Sequence, residues 1–361
     1  MLQKFLFPTL LVGALASLAS AQNYSFQEIS SNALYGDHYL ADNGSYLVNQ
    51  SGGWYMSSRA GVQTQLTSPN GNEIYVNALN SSGLAGGSTY TTSNQFGQMS
   101  VATIWQNGVP TILNPGGNTS WVKTIGNDGT LYGMSVNYIS SVAVARAWRY
   151  SNGIYTYFTS GTNWFDQSGI NFGNSSGLTV GGTDNPEKAT IWQGTTKTVI
   201  GGRGGYYYSQ ARDVNASGQV LVSSFVDYGV GKGRTDIYDH GNWISPGTYG
   251  TDAYFLASTI NDSGLVMGGG YDSQGYRTSK LLWSQAGGFV DLGNLSPMTG
   301  YAVGSVSSLN NNGEFIVQAS KFLGSGYDTK FFIATPSAVP EPASLLVLGL
   351  GSLLIVRRRR K

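Results

Sequence analysis

A short turn recurs along this chain at a nearly constant interval, and that interval limits the folds open to it. Its form is an aliphatic residue, Asn, two further residues and Gly, followed by a strand-like run. The clearest copies are Val214-Asn215-Ala216-Ser217-Gly218, Ile260-Asn261-Asp262-Ser263-Gly264, Leu309-Asn310-Asn311-Asn312-Gly313 and Leu79-Asn80-Ser81-Ser82-Gly83. Asn174 to Gly177 repeats the turn after Gly173, and weaker copies end at Gly44 and Gly129. The seven turn glycines are 39, 46, 48, 41, 46 and 49 residues apart, a period of about 45. Asn bonds backbone ahead of itself and Gly supplies positive φ, so each copy reads as a tight turn between strands.

A second marker keeps the same period. Ala102-Thr103-Ile104-Trp105-Gln106 returns unchanged as Ala189-Thr190-Ile191-Trp192-Gln193, 87 residues on, or two units. Trp148 and Trp283 take this place in two further units, and Trp54 and Tyr238 in two more. A hairpin signal follows closely, as at Asn107-Gly108, Asn152-Gly153 and His240-Gly241, and then another apolar strand. A unit thus holds an aromatic strand, a hairpin, a strand, a longer link, a strand, the Asn-Gly turn and a last strand. Four short strands in about 45 residues is the pattern of a propeller blade. Seven such units need about 315 residues, and residues 22–338 provide 317. The expected fold is therefore an all-β, seven-bladed β-propeller.

The ends of the repeat support a closed ring. Phe26-Gln27-Glu28-Ile29 has the pattern of Phe289-Val290-Asp291-Leu292, while Lys330-Phe331-Phe332-Ile333 has that of Lys280-Leu281-Leu282-Trp283. The C-terminal strand is expected to pair with the N-terminal one, which protects the sheet edges. An open β-solenoid is the rival, but it needs capping ends, and complementary half-units are not caps. The unit also resembles the HAF-type repeat of bacterial extracellular proteins, over about 250 residues and loosely in the first three units. That resemblance implies location and fold more than activity.

Both termini read as targeting segments. Lys4 precedes an apolar run from Phe5 to about Leu18, and Ala19-Ser20-Ala21 is a small-x-small site, so residues 1–21 read as a signal peptide cleaved before Gln22. Residues 339–361 form the other segment. Val339-Pro340-Glu341-Pro342 leads into an uncharged run from Ala343 to Val356, closed by Arg357, Arg358, Arg359, Arg360 and Lys361. As a helix that run reaches roughly 21 Å, short of a hydrocarbon core of about 30 Å. The five cations hold the end on the cytoplasmic side and leave the preceding residues outside. An ordinary single-pass anchor would show the same order of parts.

The three-part tail resembles the PEP-CTERM sorting signal of Gram-negative bacteria, with Pro340, Glu341 and Pro342 as the motif. The resemblance covers about 6% of the chain. It implies recognition by an exosortase, a membrane-bound cysteine transpeptidase, and removal of the tail near the motif.

Charge and residue types narrow the function. Six of the 20 basic residues are Lys4 and the tail cations, and one of the 19 acids is Glu341, leaving 14 bases and 18 acids in residues 22–338, or a net −4. That argues against nucleic acid, which needs a basic footprint. There is no cysteine, hence no disulfide and no thiol nucleophile. The two histidines, His38 and His240, are not near each other and sit in expected turns. No Gly-x-Ser-x-Gly elbow occurs. Paired acids for glycoside hydrolysis would come from residues such as Asp184, Glu187, Asp213, Asp236 and Asp291, and most of these fall in strands or turns with repeat-related roles. Gly201-Gly202-Arg203-Gly204-Gly205 lacks the Lys-Ser/Thr ending of a phosphate loop.

No catalytic residue, cofactor or metal is expected. Trp121, Trp164 and Trp243 are out of phase with the repeat and are the candidate glycan contacts. The expected protein is exported, membrane-anchored as a precursor and then held at the surface or in the matrix. Its role is structural or binding and is linked to exopolysaccharide or biofilm. Its expected partners are signal peptidase, the exosortase, the membrane through the C-terminal helix, and exopolysaccharide. The alternatives are a secreted carbohydrate-active enzyme on a propeller scaffold and a protein-binding adhesin.

Overall fold

The computed structural model describes residues 23–29, 39–50, 52–94, 97–139, 142–158, 169–183, 186–204, 206–226 and 232–337. Strand β1 (Tyr24–Ile29) comes first in the chain and last in the ring. Blade 1 holds β2 (Tyr46–Gln50), β3 (Gly53–Ser57) and β4 (Gln63–Gln65). Blade 2 holds β5 (Ile74–Leu79), β6 (Leu84–Asn94), β7 (Gly97–Gln106) and β8 (Val109–Ile112). Blade 3 holds β9 (Thr119–Ile125), β10 (Leu131–Ile139), β11 (Val142–Ser151) and β12 (Ile154–Tyr157). Blade 4 holds β13 (Gly169–Gly173), β14 (Leu178–Thr183), β15 (Lys188–Gln193) and β16 (Thr196–Val199). Blade 5 holds β17 (Tyr208–Val214), β18 (Val220–Phe225), β19 (Gly233–Asp239) and β20 (Asn242–Ile244). Blade 6 holds β21 (Tyr254–Ile260), β22 (Val266–Tyr271), β23 (Arg277–Ser284) and β24 (Gly288–Asp291). Blade 7 holds β25 (Ala302–Ser307), β26 (Phe315–Phe322), β27 (Tyr327–Pro336) and, on its outer edge, β1.

These seven antiparallel sheets make the expected seven-bladed propeller. Blade 1 has three strands, and Leu40, bridged to Tyr46, stands where the others have an innermost strand. The repeat is real but its phase differs from the sequence unit. The Asn-Gly turn joins the first and second strands of one sheet, and the aromatic strand is the third. The longer link crosses to the next blade. A unit opened at the aromatic strand therefore straddles two sheets.

The turn glycines, from Gly44 to Gly313, all have φ between +75° and +86°, as their role requires. The hairpins between third and fourth strands put Asn107, Asn152 and His240 at φ 51°, 52° and 48°, each followed by a positive-φ Gly. This is the primed turn whose twist matches antiparallel strands. His240 is thus an exposed turn residue, its Nδ1 2.7 Å from Asp239 Oδ1.

Apolar layers lie between blades. Trp105 packs with Leu66 and Ile74, Trp192 with Tyr132, Phe158 and Ile170, and Trp283 with Leu221, Ile237 and Phe255. Trp105, Trp192, Tyr238 and Trp283 share one register, opposite Ala85, Thr179, Val220 and Val266. In blade 3 Tyr150 holds that register and Trp148 lies two residues earlier. Trp54 of blade 1 pairs with Asn49, outside the shared register.

The turn asparagine ties neighbouring blades together. The Nδ2 of Asn80, Asn174, Asn215, Asn261 and Asn310 donates to a main-chain carbonyl of the following blade, at Gly126, Asn215, Asn261, Asn310 and Ala41, over 2.8–3.2 Å. The same residue's Oδ1 accepts the amide four positions ahead, as from Leu84, Gln219 and Leu265. In blade 3 Gly126 stands in the Asn position, and the Tyr132 hydroxyl donates to Asn174 O at 2.8 Å instead. Between blades 1 and 2, Asn43 Nδ2 donates to Ser81 O at 2.8 Å.

The ring closes where blade 7 meets blade 1. Strand β1 pairs with β27 from Tyr24↔Pro336 to Ile29↔Phe331. Buried Glu314 accepts from Arg59 Nη2 at 2.6 Å, Asn310 Nδ2 at 3.0 Å and Thr335 Oγ1 at 2.9 Å. Burial pushes this carboxyl up, but the donors, led by Arg59, outweigh it and hold its pKa below the usual range. Tyr24 and Pro336 both lie at the end of the propeller where the Asn-Gly turns are.

Replacing Asn261 by Ala removes the donor to Asn310 O and the acceptor for Ser263 and Leu265. We expect urea melts to show a loss of about 2–4 kcal/mol, against about 0.5 kcal/mol or less for Val62→Ala on the surface. Burial pushes the hydroxyls of Tyr132 and Tyr24 up to about 12. An unfolded tyrosine loses its proton near pH 10, so stability is expected to fall as pH rises from about 10 to about 12. In pH-dependent thermal melts Tyr132→Phe should flatten that slope, while costing about 1 kcal/mol at neutral pH, since the Asn174 carbonyl loses the hydroxyl but keeps the Gly177 amide.

Candidate functional site

The innermost strands enclose an axial channel, and a one-residue irregularity in those strands shapes it. Strands β5, β9, β13, β17 and β21 each carry a β-bulge against the second strand, which leaves Asn77, Lys123, Asn171, Arg212 and Ser258 outside the ladder. All five are three residues before the turn position. A bulge adds a residue and re-aims its side chain. Here all five line one compartment of about 500 Å³. Two bulge amides also brace the wall: Asn77 Nδ2 donates to Val122 O at 2.7 Å and Asn171 Nδ2 to Ala211 O at 2.8 Å.

Tyr39, Phe225, Tyr271 and Arg277 complete the working surface of this compartment, which lies toward the end opposite the Asn-Gly turns. Its charged lining residues are Lys123, Arg212 and Arg277, with no Asp, Glu or His among the described residues that line it. The Arg212 guanidinium lies 5.9 Å from the centre of the Phe225 ring. Arg277 donates to Gly268 O at 3.1 Å. It comes so close to the second strand that a Cβ at Gly269 would lie 2.5 Å from Nε. Burial lowers the pKa of Lys280 on the same strand, helped by Arg277 and opposed by Asp291.

The turn end of the channel is narrower, about 110 Å³, and of the opposite charge. Asp42, Asp213 and Asp262 line it with Asn127 and Asn311. Asn127 Nδ2 reaches from blade 3 to Asp42 Oδ2 in blade 1 at 2.9 Å, and Asn311 Nδ2 joins it at 3.1 Å.

The acids singled out from the sequence have structural partners. Glu187 accepts both bonds of Gln210 Nε2 at 2.8 Å. Asp213 accepts the amides of Val214 and Ile260, each at 2.8 Å. Asp236 is fully buried and takes Arg234 at 2.5 Å. Asp291 accepts Gly293 N at 2.8 Å and caps a single 3-10 turn. Among the described residues no three His, Cys, Asp or Glu are placed to hold a metal ion. Gly201 to Gly204 lie in the link between β16 and β17.

The aromatic candidates are not brought together. Trp121 is half-buried on β9, an innermost strand, and lines neither compartment. Trp243 is on β20, an outermost strand, edge-on to Tyr238 at 5.2 Å. Trp164, Asp184, His38, the cleavage site Ala19, Ala21 and Gln22, the motif Val339 to Pro342, the apolar run and Arg357 to Lys361 lie outside the described residues. No helix among the described residues is long and apolar enough to cross a membrane. Sequence reasoning passed over the bulge residues. Their signal was a polar residue three positions before each turn.

The two ends of the channel show how the ring is built, and the tail shows where it is sent. Residues 338–361 match the PEP-CTERM protein-sorting motif. The chain carries a PEP-CTERM tail. A PEP-CTERM tail implies an exported protein, anchored in the membrane as a precursor and processed by an exosortase. No curated protein sequence matches the chain. Among solved structures, the β-propeller domain of the Trilobed protease from Pyrococcus furiosus is similar over 74% of this chain and 86% of its own, at 13% identity and a TM-score of 0.48. Oligogalacturonate lyase from Vibrio parahaemolyticus is similar over 90% and 93%, at 12% identity and a TM-score of 0.48. A Trypanosoma rangeli sialidase is similar over 84% and 59%, at 13% identity and a TM-score of 0.36. At these scores the likenesses bear on neither substrate nor activity.

Proposed function

We propose that the ectodomain of this PEP-CTERM protein is a non-catalytic surface or matrix protein that binds exopolysaccharide in the wide compartment of its channel. The observation that carries this reading is the set of bulges. Five blades each turn one polar side chain out of the ladder and into the same space, where Tyr39, Phe225 and Tyr271 add aromatic surface. Amides, hydroxyls and aromatic faces are the groups that hold a sugar, through hydrogen bonds to hydroxyls and contact with the apolar face of the ring. Four of the candidate acids, Glu187, Asp213, Asp236 and Asp291, are bonded into the scaffold. Removal of residues 1–21 by signal peptidase and of the tail near Pro340 by the exosortase would leave the ring complete, since β1 and β27 close it without either segment.

Affinity electrophoresis of residues 22–338 through gels containing bacterial exopolysaccharides tests the reading. We expect retardation in at least one polymer, with no new reducing ends after prolonged incubation. Free migration in every polymer would contradict binding, and the release of reducing ends would contradict a non-catalytic role.

A further inference from the structure

We infer that the wide compartment of the channel is an anion site that takes the carboxylates of a uronate-bearing glycan. The inference rests on the glycan-binding reading above and adds the charge of the ligand. Acids outnumber bases 18 to 14 in residues 22–338, yet every charged residue lining this compartment is a cation. Lys123, Arg212 and Arg277 come from blades 3, 5 and 6, so they surround the space instead of forming one surface stripe. Field lines from like charges in a cleft with low-dielectric walls are focused there, and an anion is drawn in.

Two of the cations are held in place before any ligand arrives. Arg212 lies over the Phe225 ring, and Arg277 is bonded to Gly268 O against the bare Gly269 backbone. A fixed, planar guanidinium suits a carboxylate better than a mobile ammonium, because it offers two parallel N–H donors without further ordering. Neither Glu187, bonded to Gln210, nor Asp252, bonded to the hydroxyls of Thr278 and Ser279 at 2.5 and 2.6 Å, lines the compartment. At the far end of the channel Asp42, Asp213 and Asp262 repel an anion, so the ligand is stopped in the wide compartment. The remaining lining favours a sugar over an acidic peptide. Asn77 and Asn171, whose Nδ2 groups brace the wall, present amide oxygens as acceptors for hydroxyls, Ser258 adds a further polar side chain, and Tyr39 and Tyr271 supply ring-sized faces.

Isothermal titration of the mature ectodomain with alginate oligomers, a polyuronate, tests this. The same oligomers as methyl esters and poly-glutamate serve as the other arms. We expect the acid form to bind, the ester to bind about tenfold or more weakly, and affinity to fall as salt rises. Arg212→Gln and Arg277→Gln should each weaken the acid form by about tenfold and leave the ester unchanged. Lys123→Gln, at an exposed position, gives the same reading should either arginine variant fail to fold. Equal binding of acid and ester would overturn the anion site while the glycan reading stands. Binding of neither form, with another polymer retarding the protein in gels, would overturn the anion site alone. Poly-glutamate binding as tightly as alginate would overturn the assignment to a glycan.

Discussion

Everything in this ring depends on one amide side chain used at both ends. The turn Asn accepts from the amide four residues ahead and so closes its own turn. It also donates to the next blade's main chain and so sets the distance and angle between sheets. Asp has no donor and Ser cannot span both bonds, which is why Asn recurs at this position. Each accepting carbonyl also takes the amide of its own turn glycine, so losing the Asn bond removes one of its two donors at a buried site that water does not refill. Where the Asn is absent the structure supplies another donor: Tyr132 serves Asn174 O past Gly126, and Asn43 serves Ser81 O past Ala41. The final link, from Asn310 to Ala41, spans 269 residues of sequence and joins the last blade to the first.

That dependence explains other features. With no cysteine, an exported ring has no covalent staple and must hold its closing seam by pairing and burial. The seam is accordingly held by several bonds, with β1 on β27, Arg59 on Glu314, and Asn311 and Asn312 on Asp42. The same Asn bonds crowd the turn end of the channel, leaving it narrow and acidic. The bulges three residues earlier push polar side chains into the other end, leaving it wide and cationic. Tyr24 and Pro336, at the two described ends of the ring, both lie at the turn end, opposite the wide compartment.

Much of this was legible in the chain. The turn glycines gave blade number and period, Phe26 to Ile29 and Lys330 to Ile333 gave closure, and the tail was recognisable from three prolyl-acidic residues, an apolar run and five cations. The phase of the unit was not legible, because a circular repeat can be opened anywhere, and only strand pairing shows which link crosses between sheets. Trp148 looked equivalent to Trp105, but register, which depends on partners and not on spacing alone, gives that place to Tyr150. The channel lining was missed for a similar reason. A bulge lengthens a strand by one residue, within the scatter of the repeat, and Lys123 or Arg212 in sequence is one more surface cation. Trp121 and Trp243 stood out as aromatic residues without a repeat role, but a fold places side chains by strand and face, and these two fall on an inner and an outer strand.

Native-state hydrogen exchange at the amides that the turn asparagines accept, those of Leu84, Leu178, Gln219, Leu265 and Glu314, tests the central claim most directly. If the Asn bonds make the seven blades one cooperative ring, all five amides open with a single free energy equal to that of global unfolding, and share one dependence on denaturant. Opening blade by blade, with separate free energies well below the global value, would show that the sheets stand independently and that the Asn ladder does not hold them together.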